Sequence, residues 1–342
     1  MKKRVTLDDV SRAAGVSPIT VSRSLRKPEM VSEKIRDRVQ RAVRILGYVP
    51  NTAAQFLATG RSNVIGVVIP SVTNNVFADV LRGIYAEIEQ SSFQVQVVNS
   101  RYSAKIEEGL LRLFQSQSPA GMIVAGFDQT EAAREILKSI DCPLVQIMEC
   151  GPDPIDHSIG FSHFDAAAAA TRHLLDQGYR KLGFIGARMD PRTRSRFSGF
   201  RKTALAAASF DDARVIQTDE ASSVALGAAL FSRLRRQAPE VDAVFCNNDD
   251  LALGVLFEAL RQQIPVPDQL GICGFNDLEM MAAAEPPITS VHTPRYDIGR
   301  DAIRYILARL EDGARPAEAV DTGYKVVARQ STRKLASSTA KD

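Results

Sequence analysis

The sequence is poor in the residues that hold metals and disulfides: its 342 positions include only four cysteines and four histidines. Cys142, Cys150, Cys246 and Cys273 form no CxxC pair and have no histidine at metal-ligand spacing. Buried reduced thiols are therefore expected, with neither a metal nor another cofactor. No stretch approaches the roughly 18 consecutive apolar residues of a membrane span. Met1–Arg4 is basic, but Thr6, Asp8 and Asp9 stand where a secretory leader needs an apolar run. These absences predict a cytoplasmic chain with no membrane partner. Catalytic signatures are missing as well. There is no GxxxxGKS/T phosphate loop, no GxGxxG after a candidate strand, no GxSxG elbow and no HExxH. That argues against an enzyme.

The composition, 45% hydrophobic and 24% charged, is that of a globular chain long enough for two or three domains. The net charge of +3 conceals a segregation. Residues 1–60 carry 12 Lys and Arg against 5 Asp and Glu, a net of +7, whereas the other 282 carry 31 against 35, a net of −4. A basic head on a mildly acidic body is the pattern of a nucleic-acid-binding module joined to another function.

Within that head, Leu7, Val10 and Ala14 fall at helical spacing, Thr6 is placed to cap, and Gly15 ends the helix in a tight turn. Ser17 at an N-cap and Pro18 at the first helical position start a second helix. Two helices joined through a glycine turn describe a helix-turn-helix, whose second helix enters the major groove by its N-terminus. Val21 and Leu25 face inward, which leaves Pro18, Ile19, Ser22 and Arg23 outward. Arg23 suits guanine, Ser22 and Thr20 suit phosphates or base edges, and Ile19 suits a thymine methyl. A third helix follows Ser32, with Ile35, Val39, Val43 and Leu46 as its apolar stripe and Gly47 at its end. Lys34, Arg36, Arg38, Arg41 and Arg44 form its basic, solvated face.

The run from Val5 to Arg23, with Val31-Ser32 and Gly47-Tyr48-Val49-Pro50-Asn51, resembles the LacI/GalR family of bacterial transcription regulators, and the resemblance extends along nearly the whole chain. It implies DNA contacts from Thr6, Ser17, Pro18, Ile19, Thr20, Ser22, Arg23 and Tyr48. Residues 48–58 resemble the family's hinge helix, which Asn51 can cap and Gly60 can end. So short a helix is marginal alone in water and needs a partner helix or DNA. The resemblance implies minor-groove contacts from Asn51, Ala54 and Gln55, with Leu57 as an apolar wedge between base pairs.

Beyond Val64, short apolar runs alternate with amphipathic helices. The runs are 64–69, 94–98, 122–125, 144–147, 159–162, 182–185, 243–246 and 271–275; helices are expected over 77–91, 130–140, 166–177, 193–208 and 249–262. Repeated β-α units predict parallel sheets covered on both faces. The fold class is therefore α/β: an all-α helix-turn-helix head (1–50), a hinge (51–61) and a periplasmic-binding-protein-like core (62–330) of two doubly wound halves, with a break near 149–159. The resemblance implies three crossings between the halves. They divide the core into 62–160 plus 293–320 and 161–292 plus 321–330, followed by a flexible tail over 331–342.

Ligands of such folds bind off the carboxyl ends of the strands. Carried over by resemblance, the effector contacts are Phe77, stacking on the ligand, Glu149, Arg196, Asn248 toward ligand hydroxyls, and Asn276, with Arg188 as an added cation and Asp249 capping the following helix. Many sugar-binding members have aspartate where this chain has Asn276. One carboxylate fewer and extra cations at Arg188, Arg192 and Arg194 point to a sugar acid. The segments around Pro70, Ala187 and Asn247 most resemble the gluconate-utilisation repressor group. Gluconate is the expected effector, then 2-ketogluconate or another aldonate; the alternative is a neutral sugar or a purine co-repressor, and the distant one a cytoplasmic sugar-acid enzyme. The expected partners are operator DNA and a second copy of the chain, as a homodimer.

Overall fold

The computed structural model describes residues 5–26, 28–49, 62–89, 91–151, 153–313 and 318–333. Asn51, Ala54, Gln55 and Leu57 lie outside them. The chain divides into two units, Met1–Ser62 and Asn63–Asp342.

The first unit holds α1 (Leu7–Ala14), α2 (Pro18–Arg26) and α3 (Glu33–Leu46). Thr6 caps α1 in a reciprocal box with Asp9: the Asp9 N–H donates to Thr6 Oγ1 at 3.3 Å and the Thr6 N–H to the Asp9 carboxylate at 2.9 Å. Gly15 leaves the helix in the left-handed region, φ 61°. Val10, Ala14, Val21, Val39, Ala42 and Tyr48 form the core of this unit. On α3, Arg38 is not one of the free surface cations: its guanidinium donates to the carbonyls of Ala14 and Gly15 at 2.6 and 3.1 Å. It thus answers the bare carbonyl end of α1, where a cation is favoured.

The second unit is built on two six-stranded sheets. In the first, the order is β11 (Ala319–Asp321), β5 (His157–Gly160), β4 (Leu144–Ile147), β3 (Gly121–Ala125), β1 (Val64–Ile69) and β2 (Gln94–Asn99), all parallel. In the second it is β12 (Lys325–Val327), β10 (Thr289–His292), β9 (Gly271–Asn276), β8 (Ala243–Cys246), β6 (Leu182–Ala187) and β7 (Val215–Thr218). Only β12 is antiparallel to its neighbour. The chain passes between the sheets three times, after Gly160, after His292 and after Asp321. The break at 149–159 is the β4–β5 loop, inside the first sheet.

Strand alternation sends side chains to both faces. From β1, Ile65, Val67 and Ile69 pack with α4 (Asn75–Ile88) and α12 (Arg295–Asp312). Val68 joins Leu111 and Phe114 of α5 (Ala104–Gln117) and Ile136 of α6 (Glu131–Ser139). On the second sheet, Phe184, Phe245 and Phe275 pack with α7 (His163–Asp176) and α8 (Pro191–Ala206). Ile185, Val244 and Ile272 meet α9 (Val224–Gln237) and α10 (Asp249–Arg261) on the other face. The short α11 (Glu279–Ala283) follows β9.

Three expectations change. β5 begins two residues earlier than the apolar run suggests, because His157 and Ser158 are buried with it and Ser162 caps α7 by accepting from the Asp165 N–H at 3.1 Å. The tail does not start at 331: Ser331 and Thr332 are fully buried, with Ser331 Oγ donating to the Ile272 carbonyl at 2.6 Å and accepting from the Thr289 N–H at 2.8 Å. Finally, Cys246 and Cys273 are buried, but Cys142 and Cys150 are only half-buried. No helix among the described residues is long and apolar enough to cross a membrane.

Candidate ligand cleft and nucleic-acid-reading head

On α2 the exposed residues are Pro18, Ile19, 70% exposed, and Arg23, with Thr20 and Ser22 half-buried. Ser17 is the N-cap: its hydroxyl accepts from the Thr20 N–H at 3.1 Å and pairs with the Thr20 hydroxyl at 2.8 Å. The outward end of α2 therefore carries a cation, an apolar tip and two hydroxyls, which is what groove reading requires. Thr6 is committed to its capping box, and Tyr48 is packed into the core of the head at 9% exposure.

In the second unit a cavity lies where the strands of both sheets end. Phe77, Arg188, Arg196, Asn248 and Asn276 line it together with Tyr102, Met148, His163, Arg192, Thr193 and Asn247. Glu149 does not. Met148, in the left-handed region at φ 71°, turns the chain so that it faces the cavity in place of its neighbour. Burial raises the pKa of Glu149, partly opposed by Arg192.

The two central arginines differ in what they touch. Arg196, 8% exposed, donates from Nε to His163 Nδ1 at 3.2 Å and from Nη1 to the Asn247 carbonyl at 2.6 Å, and it stacks on Phe275 with the ring centre 3.8 Å away. All three partners are neutral. Burial lowers its pKa from 12.5 to about 10, with Asp190 opposing the fall, Arg192 adding to it and Asp249 opposing it more weakly. Arg192 instead lies 3.3 Å from Asp128 and 3.5 Å from Asp190. Burial works against its charge, but Asp190, Asp128 and Glu149 raise its pKa on balance. Arg188 lies over the Tyr102 ring, 4.0 Å from its centre, a cation–π contact across the cleft. Tyr102 is held in turn by Asn74, whose amide donates to its hydroxyl at 3.2 Å. Arg194 is exposed and lines an adjoining cavity of about 280 Å³ that also takes in Glu107, Asp128 and Arg192.

The asparagines divide the work differently from expectation. Asn248, not Asp249, caps α10, accepting from the Leu251 N–H at 3.1 Å. Asp249 is buried and accepts from the Leu278 N–H at 2.8 Å and the Ser290 hydroxyl at 2.6 Å. Burial raises its pKa to about 6. Asn247 ties β6 to β8, accepting from the Ala187 N–H at 3.2 Å and donating to Thr193 Oγ1 at 2.9 Å. Asn276 ends β9 at φ 112°, 3% exposed, with Oδ1 lacking a hydrogen-bond partner. Its carbonyl accepts from Arg295, which also donates to Asp79 at 2.7 Å, so the end of the second sheet is tied to α4. His163, Tyr102, Asn247 and Arg295 escape sequence reasoning, and Arg192 enters it only as an added cation, since the partners that define their roles lie 28 to 216 positions away. Among the described residues no cluster of His, Cys, Asp or Glu could hold a metal.

Comparison with known proteins agrees along the chain. Residues 6–51 match the description "Bacterial regulatory proteins, lacI family" and residues 171–332 "Periplasmic binding protein-like domain". The HTH-type transcriptional regulator GntR of Pseudomonas aeruginosa is 41% identical over 96% of both chains. Among solved structures, a LacI-family transcriptional regulator from Silicibacter pomeroyi superposes with a TM-score of 0.89 at 35% identity, covering 96% of this chain and all of that one. The transcription regulator GntR from Chromobacterium violaceum gives 0.76 at 38% identity over 79% of this chain and all of its own.

Proposed function

This chain belongs to the lacI family of bacterial regulatory proteins and is a DNA-binding transcription regulator rather than an enzyme; from that premise we propose that its effector is a sugar acid, gluconate first and 2-ketogluconate second, which releases it from its operator. The observation that carries this reading is Arg196. A buried guanidinium whose direct contacts are all neutral has lost hydration without a carboxylate touching it, Asp190 and Asp249 acting on it only through space, an arrangement that favours an anion entering beside it. Arg192 is already balanced by two carboxylates and Arg188 is seated on Tyr102, so Arg196 is the cation that a ligand carboxylate meets. Asn276 supports the reading, because an aspartate there would repel that carboxylate while an amide oxygen still accepts from a hydroxyl.

In this proposal two copies of the chain pair and their α2 helices read the half-sites of a pseudo-palindromic operator. Arg23 supplies the base contact and the basic head supplies phosphate contacts. Ligand binding changes how the halves close on the cleft, and the segment at 51–61 transmits that change to the heads. The coupling is the difference in ligand affinity between the DNA-competent and released states.

A thermal-shift series with gluconate, 2-ketogluconate, glucose and hypoxanthine tests the effector class. A ligand at 100 times its Kd adds about 2.7 kcal/mol of stability, and that gain is expected for the acids and not for glucose or hypoxanthine. Arg196→Ala should lose the response to gluconate while keeping operator affinity. Stabilisation by glucose or hypoxanthine alone, or an undiminished gluconate response in the variant, would refute the assignment.

A further inference from the structure

We propose that His163 reads the ligand directly, its Nε2–H donating to an oxygen of the molecule in the cleft. This inference rests on the cleft being the effector site proposed above, and it narrows the chemistry that the site accepts. His163 is the first residue of α7, 2% exposed, and lines the cavity with Arg196 and Asn276. Arg196 Nε bears a hydrogen and cannot accept, so at 3.2 Å it must donate to His163 Nδ1. Nδ1 therefore presents its lone pair, and the ring proton of the neutral imidazole sits on Nε2.

The surroundings keep the ring neutral. Burial, then Arg196 and Arg192, take its pKa well below the ordinary 6.5; the Met148 carbonyl is the group that pulls the other way. No hydrogen-bond partner reaches Nε2. Phe161 meets the ring edge-on with centres 4.5 Å apart and Phe275 lies 6.0 Å away, so aromatic carbon bounds much of the ring, and the Met148 carbonyl is the backbone acceptor near it. Buried donors without partners are uncommon in folded proteins, and at a ligand cleft the missing partner is the ligand.

Three different polar groups then meet in the cleft lining: a guanidinium at Arg196 and, each shielded from solvent, a neutral N–H at His163 and an unpartnered amide oxygen at Asn276. A molecule that satisfies all three carries an anionic group, an oxygen that accepts and a hydroxyl that donates. A polyhydroxy carboxylate has these, whereas a neutral polyol leaves the guanidinium unanswered.

The test uses the full-length protein with ¹⁵N-labelled histidine, the His163 signals being assigned by their absence from His163→Gln. The ligand-free protein at pH 7.5 should show the Nε2–H tautomer. Saturating gluconate should move the Nε2 proton downfield and slow its exchange, leaving Nδ1 an acceptor. An Nδ1–H tautomer, an imidazolium, or an Nε2–H signal unmoved by bound gluconate would overturn the assignment. In calorimetric titration His163→Gln, which keeps an N–H donor, should bind gluconate within about tenfold of wild type, and His163→Phe about 100-fold more weakly; equal affinities in the two variants would also overturn it. Gluconate that produces neither heat nor stabilisation in the wild type would sink the sugar-acid reading alone. The ligand-free tautomer would then decide the histidine's role by itself.

Discussion

Arg192 and Arg196 lie one turn apart on the same helix, yet one is neutralised by Asp128 and Asp190 and the other is left to neutral acceptors. The family resemblance was enough to single out Arg196. It could not show that Arg192 is paired, because Asp128 approaches from the other half of the cleft. Glu149 fails to line the cavity for a related reason, a positive φ at the residue before it. The adjoining cavity holds a carboxylate that makes a pH prediction. Burial first, and Asp128 second, raise Glu107 from 4.5 to about 7. A raised folded pKa means that the folded state binds the proton more tightly, so the stability linked to it is full below about 4.5 and lost as pH rises through about 7. Glu107→Gln should therefore melt above wild type at pH 8 and lose that advantage by pH 5. Scanning calorimetry at the two pH values checks this, and a uniform shift at both would contradict it.

At the level of elements, the helix starts were largely readable because capping is local. Thr6 and Ser17 each accept from a backbone N–H three residues on; Ser162 does the same, but the apolar run that precedes it hid that start. Strands β1, β4 and β8 appear with the bounds of their apolar runs, since a buried parallel strand has no polar face to obscure it. Helix pairing was not readable. The His163–Arg196 contact exists because α7 and α8 pack closely, and that closeness depends on Gly199, where a Cβ would overlap the Phe164 carbonyl oxygen. Gly199→Ala must push the helices apart, at a cost of about 1–3 kcal/mol for overpacking. The expected result is a lower melting temperature together with weaker gluconate binding. A variant that melts lower yet binds gluconate as tightly as wild type would show that the helix spacing does not set the site.

For the whole molecule, the head and the body divide the charge, +7 against −4. The cations of the head suit DNA phosphates, and the body holds the buried Arg196, which in the proposed reading meets a small anion. If gluconate lowers operator affinity by some factor, operator DNA must lower gluconate affinity by the same factor, because the two binding events share one thermodynamic cycle. Fluorescence anisotropy on operator DNA and calorimetry with gluconate, each with and without the other ligand, should return equal factors. Unequal factors would mean that the two ligands do not bias one common equilibrium.

What the sequence determined alone was everything carried by short-range order: the helix-turn-helix with its caps, the β-α alternation, the charge segregation and the family to which all of these belong. Each is set within a few residues or repeats along the chain, so pattern is sufficient to reveal it. The tertiary structure decided which polar groups were already satisfied. It paired Arg192, seated Arg188 on Tyr102, committed the oxygen of Asn248 to a cap, and left Arg196 with neutral groups as its direct contacts and His163 and Asn276 each with an unpartnered polar atom. Partners at those distances in sequence meet only when two sheets fold against each other, and burial then gives each unmet hydrogen bond or charge its weight.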